Sequence, residues 1–82
     1  MSEMIESDYV DFIKTYSTGK TDYYAVQTKS HEAIGVIKWY SRWRRYCFFP
    51  DEGTLYDSKC MKNIADFMQS IMDARKIAKE GE

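Results

Sequence analysis

The chain has 82 residues, 44% hydrophobic and 30% charged, which excludes both a disordered chain and a multi-domain one. Its formal net charge is −1, so no global field draws it to nucleic acid or to a membrane, and any such contact must come from a local patch. A chain this short buries only about 60–65% of its unfolded surface, and its aromatic residues help because each buries a large area.

Residues 2–16 predict a short amphipathic helix within an N-terminal segment, residues 1–20. Ile5, Tyr9, Phe12, Ile13 and Tyr16 recur at helical spacing. Ser2 is placed to cap this helix and Gly19 to stop it. Glu3, Glu6, Asp8 and Asp11 suit the positive end of a helix dipole, and Lys14 the negative end. The stretch Tyr9 to Tyr16 is also β-prone, and Ser17 to Lys20 would serve as a hairpin turn.

Residues 21–50 predict an antiparallel sheet of three strands. Tyr23 to Thr28 alternates as a first strand. Lys29-Ser30-His31-Glu32 is a polar turn, and Ala33 to Tyr40 is the second strand. Ser41 and Arg42 lie at the next bend, with Tyr40 set against Trp43 and a third strand from Trp43 to Phe49. Ser-Arg makes a poor two-residue turn, because neither residue favours positive φ; a four-residue loop is the alternative. Pro50 ends the strand. With Tyr40 opposite Trp43, one face carries Ile37, Trp39, Tyr46 and Phe48. The other carries Ile34, Val36, Lys38, Tyr40, Trp43, Arg45, Cys47 and Phe49, and its charges make it the outer face.

The last helix is expected over residues 57–79, capped by Asp57 or Ser58. Cys60, Ile64, Phe67, Met68, Ile71 and Arg75 share one face, widened by Met61, Ala65, Met72 and Ala74. Arg75, Lys76 and Lys79 suit its C-terminal end. The expected architecture is therefore α+β, in the order α-β-β-β-α. A three-stranded antiparallel sheet carries a long C-terminal helix on one face and a short N-terminal helix, as a single domain over residues 1–82.

Trp39 to Pro50 stands out from the rest. It holds six aromatics and three of the four arginines, and no acid lies between Glu32 and Asp51. Lys38, Tyr40, Arg42, Trp43, Arg44 and Arg45 form the candidate binding residues. Arginine offers planar donors to phosphate or carboxylate, and aromatics offer stacking platforms. Tyr, Trp and Arg are also the residues enriched at protein-binding hot spots. The plainer reading puts the tryptophans in the core and pairs the arginines with acids or rings.

Catalytic chemistry finds little support. Ser17-Thr18-Gly19-Lys20-Thr21 has the end of a phosphate-binding loop, but Lys14 stands where that motif needs its first glycine. His31 is the single histidine and sits in a turn without a fixed partner. Asp51 and Glu52 are adjacent acids after a proline, as turns often have. Cys47 and Cys60 read as small buried residues, and their spacing matches no structural zinc site. No catalytic residue, metal ligand or cofactor is expected. The opening residues are acidic with no apolar run, and no stretch nears the ~20 apolar residues of a membrane span. The expectation is a cytoplasmic, reduced protein.

Gly35-Val36-Ile37-Lys38-Trp39-Tyr40, then Trp43-Arg44, Tyr46 and Phe48-Phe49-Pro50, then Cys60 and Ile64-Ala65-Asp66-Phe67, resembles a family of small uncharacterised proteins of phages and prophages. The resemblance spans about residues 24–70 and brings no catalytic residues. It implies a phage accessory protein acting in the host cell by binding, as host-factor inhibitors, anti-defence proteins and small-molecule sponges do. The expected partner is a host protein or a second copy of the chain, with nucleic acid or nucleotide as the alternative through Lys38, Arg42, Arg44 and Arg45. The α-β-β-β-α order is also similar to that of the double-stranded-RNA-binding domain, although the dense lysines of that domain are missing around Lys59 and Lys62.

Overall fold

A computed structural model describes residues 3–80, with side chains as far as residue 75. Five strands precede one helix: β1 (Glu3–Glu6), β2 (Val10–Ser17), β3 (Asp22–Thr28), β4 (Ala33–Tyr40), β5 (Arg45–Pro50) and α1 (Ser58–Glu80). The strands form one antiparallel sheet in the order β1-β2-β3-β4-β5. Each strand therefore pairs with the one before it, and the helix crosses one face.

The expected N-terminal helix does not exist, and the sheet has five strands rather than three. Residues 3–17 form a β-hairpin instead. Its period is two, not 3.6: Val10 and Phe12 are buried toward α1, while Ile13 points to the opposite face. The helical spacing of Ile5, Tyr9, Phe12, Ile13 and Tyr16 is coincidental. The β-branched and aromatic residues of Val10 to Tyr16 fit a pleated surface, and tertiary pairing with β3 decides the outcome. Gly19 does not stop a helix. With φ at 90° it shapes the β2–β3 turn, a backbone conformation that glycine adopts without strain. The likeness to the double-stranded-RNA-binding domain falls with the α-β-β-β-α order. Ser2 and the side chains of Lys76 and Lys79 lie outside the described residues.

The β4–β5 connection also differs from the tight bend. Tyr40 pairs with Arg45, not Trp43, and Trp39 pairs with Tyr46. Ser41 to Arg44 form the loop, where Arg44 takes a φ of 53° and the Trp43 N–H donates to the Tyr40 carbonyl. Trp43 is thus a loop residue. The register shift is an even number of residues, so Val36 to Tyr40 and Arg45 to Phe49 keep their expected faces. Ile34 does not: it falls at the irregularity opposite Val26 and Gln27 and is buried in the core instead of lying on the outer face.

The core lies between the sheet and α1. Val10, Phe12, Tyr24, Val26, Ile37 and Tyr46 meet Ile64, with Phe67, Met68, Ile71 and Met72 packed against them. Phe12 stacks on Phe67 with ring centroids 3.9 Å apart, and Tyr24 meets Phe67 edge-on at 5.0 Å. The Cys60 N–H donates to Asp57 Oδ1 at 2.8 Å, so Asp57 is the N-cap. Asn63 ties the helix to the β1–β2 turn: it accepts from the Tyr9 N–H at 2.9 Å and donates to the Ser7 hydroxyl. At the far end Arg75 lies 4.3 Å over the Trp39 ring and donates to the Lys20 carbonyl. Gly35 sits where a Cβ would come within 2.6 Å of the Phe48 ring and 2.8 Å of the Phe49 carbonyl. The absent side chain lets Phe48 fold onto the sheet.

Candidate functional site

Alternation on the strands puts a second apolar set on the face away from α1. The pairings align Met4, Ile13, Ala25, Val36 and Phe49 across all five strands. This row has no polar member. Met4 is half exposed, the other four are partly buried by their strand neighbours, and no described element covers them.

Toward one end of the strands the face becomes aromatic and basic. Tyr16 pairs with Tyr23, and their rings meet edge-on at 5.4 Å. Lys38 pairs with Cys47, and its Nζ lies 4.7 Å over the Phe49 ring. Tyr40 contacts both Trp43, at 5.1 Å, and Phe49, at 6.3 Å. Trp43 is 63% exposed in the loop. A tryptophan that open cannot be a core residue, and exposed Trp beside Tyr and a cation is the composition of a binding hot spot.

Toward the other end the face becomes polar. Asp11 is buried there, and Lys29 Nζ lies 2.5 Å from its Oδ1. That hydrogen bond holds the Asp11 carboxyl below the usual carboxylate range, against the opposing effect of burial.

The structure brings Lys38, Tyr40 and Trp43 together with Phe49. It does not gather all the arginines with them. Arg42 is exposed on the loop. Arg44 and Arg45 border an open cleft of about 390 Å³, against Met68, Gln69 and Met72 of α1. The arginines thus surround the tip of the β4–β5 hairpin instead of forming one patch. Sequence reasoning missed Met4 and Ile13 because it read their strands as a helix. The β-prone run from Tyr9 to Tyr16, followed by the turn residues Ser17 to Lys20, is the signal that would have found Ile13; Met4 follows only from its pairing with it.

The residues weighed for chemistry are dispersed. The Gly19 N–H donates to the Ser17 hydroxyl at 3.2 Å, and the Lys20 and Thr21 N–H groups donate to the Thr18 hydroxyl at 3.2 and 2.9 Å. The amides that a phosphate cradle would need are therefore already occupied. His31 is exposed, with φ at 68° and Nδ1 3.4 Å from Gln27 Nε2. Asp51 sits in a turn where its carbonyl accepts from the Thr54 hydroxyl at 2.8 Å. Cys47 and Cys60 are free, and burial, reinforced by the Asp57 charge, pushes the Cys60 thiol up, away from a reactive thiolate. Among the described residues no three His, Cys, Asp or Glu side chains converge as metal ligands. Among them, too, no helix is long and apolar enough to cross a membrane.

The chain is similar to an uncharacterised 9.3 kDa protein of Acholeplasma phage L2, with 28% identity over 72 residues. The similarity covers 85% of this chain and 92% of the relative, more than the block of residues 24–70. The likeness is thus to a small phage protein. No protein-family model matches it. No solved structure matches it at significance.

Proposed function

We propose that this chain is a non-enzymatic, phage-type binding protein that acts by docking a host protein on the outer face of its sheet, as an inhibitor or anti-defence factor does. The observation that carries this reading is the uncovered apolar row running into Lys38, Tyr40 and the exposed Trp43. Contiguous apolar surface of this kind marks an interaction site, because water contact with it is unfavourable. Lys38 adds a charge directly on this surface, because its Nζ lies over the ring of Phe49, a member of the apolar row.

The test is affinity capture from a host-cell lysate with the wild type and with Lys38→Glu/Trp43→Ala. Loss of a hot-spot tryptophan costs about 2 kcal/mol or more, so the captured protein should bind roughly 30-fold more weakly or worse. Unchanged capture by the double variant would remove the reading.

A second reading rests on the loop itself, where Trp43 stands exposed between Arg42 and Arg44. A stacked base with phosphates on Lys38, Arg42, Arg44 and Arg45 would give nucleotide or single-strand binding. Such binding falls steeply with salt, and a flat salt response in a fluorescence titration of Trp43 would dismiss it.

A further inference from the structure

The register gives the outer face an order that composition does not show. In a meander, alternate turns fall at opposite ends of the strands. The β1–β2 turn, the β3–β4 turn and the exit from β5 share one end, which carries Glu6, Asp8, Glu32, Asp51 and Glu52. The lysine there, Lys29, is already paired with Asp11. The β2–β3 and β4–β5 turns share the other end, which carries Lys20, Arg42, Arg44 and Arg45. The acids at that end, Glu3 and Asp22, lie 3.4 and 3.6 Å from Lys14. The sheet is therefore acidic at one end, basic at the other and apolar between.

Such a face is complementary to itself when turned end for end. A two-fold axis along the apolar row sets Ala25, Val36 and Phe49 of one copy on the same residues of the next. It also reverses the strands, so each acidic end meets a basic end. An axis along the strands would instead set like charges on each other.

We propose that the outer face seats a second copy of this chain, sheet on sheet with strands antiparallel, so that the apolar rows meet and each acidic end covers a basic one. The inference rests on the reading of this face as a protein-binding surface. It also makes the second copy and a host partner competitors for the same residues.

Sedimentation equilibrium of the full chain tests this. The wild type should be a dimer at micromolar concentration, weakening as salt rises. Val36→Glu, which leaves the core untouched, should be monomeric with an unchanged near-ultraviolet spectrum. Arg42→Glu/Arg45→Glu alone, and Glu32→Arg/Glu52→Arg alone, should each loosen the dimer about tenfold or more, and mixing the two should restore a tight heterodimer. A monomeric wild type overturns the proposal, as does a dimer that survives Val36→Glu or ignores both charge reversals. A wild-type monomer that still loses its host partner on Lys38→Glu/Trp43→Ala overturns the dimer alone and leaves the host-binding reading standing.

Discussion

Replacing Phe12 and Ile13 in turn separates a strand from a helix at the N-terminus. On an amphipathic helix both residues face the core, and both losses are severe. On β2 they face opposite ways. Phe12 is fully buried and stacks at 3.9 Å on Phe67, in contact with the only helix among the described elements. Phe12→Ala removes its transfer energy, leaves a cavity and breaks the stack, at a cost of about 3–5 kcal/mol. A domain of this size is stable by only about 4–12 kcal/mol, so the variant is near the edge of folding. Ile13 lies in the outer row with part of its side chain in water. Ile13→Thr keeps a β-branched side chain and should cost about 1 kcal/mol or less in the monomer. Urea unfolding at low protein concentration measures both, and the thermal midpoints should differ by well over 10 °C. Equal losses for the two variants would refute the strand assignment and the outer row with it.

Gly35→Ala should cost about 1–3 kcal/mol by overpacking, because the new methyl meets both the Phe48 ring and the Phe49 carbonyl; a thermal midpoint equal to the wild type would contradict that geometry. Asp57→Ala should remove about 1 kcal/mol with the cap of α1, and Asp57→Asn should retain most of it, both read from urea midpoints. The lowered pKa of Asp11 means that the folded state favours its ionised form. The stability it contributes is therefore complete above its unfolded pKa, about 3.9, and is lost as pH falls through the folded value. Asp11→Asn should flatten that part of the pH dependence of the urea midpoint below about pH 4, and an unchanged slope would count against the Lys29 pair.

The elements that sequence reasoning places well are those with one dominant signal. The Cys60, Ile64, Phe67, Met68 and Ile71 spacing leaves no alternative to a helix, and Asp57 marks its start. Ala33 to Tyr40 is a nearly continuous apolar and β-prone run between two polar turn segments, and β4 occupies those residues. The N-terminus carries two periods at once. Ile5, Tyr9, Phe12 and Tyr16 satisfy a helix while Val10 and Phe12 satisfy a strand, and only the pairing with β3 breaks the tie. The candidate site was half legible for the same reason. Lys38, Tyr40 and Trp43 are visible as a cluster in the sequence, but the row that joins them to Ile13 and Met4 exists only once five strands are in register. The β4–β5 connection takes the four-residue form weighed as the alternative, Ser41 to Arg44, in keeping with the poor fit of Ser-Arg to a two-residue turn, while nothing in the sequence marks Arg44 as its positive-φ residue.

The strand order has a consequence for the timing of synthesis. Each strand finds its partner in the segment just made, so pairing needs few distant contacts and can follow the growing chain. The helix, by contrast, appears only after all five strands. At about 5–20 residues per second, the interval between the end of β5 and the exit of Met72 is about 1–5 s. During that interval Phe12, Val26 and Ile37 have a sheet but no lid. Two-stranded pieces are marginal in water, and a bare apolar sheet is prone to aggregate. A premature stop before Ile64 should therefore yield an aggregating chain rather than a shortened fold, and the cell's chaperones should engage this protein late in its synthesis, not early.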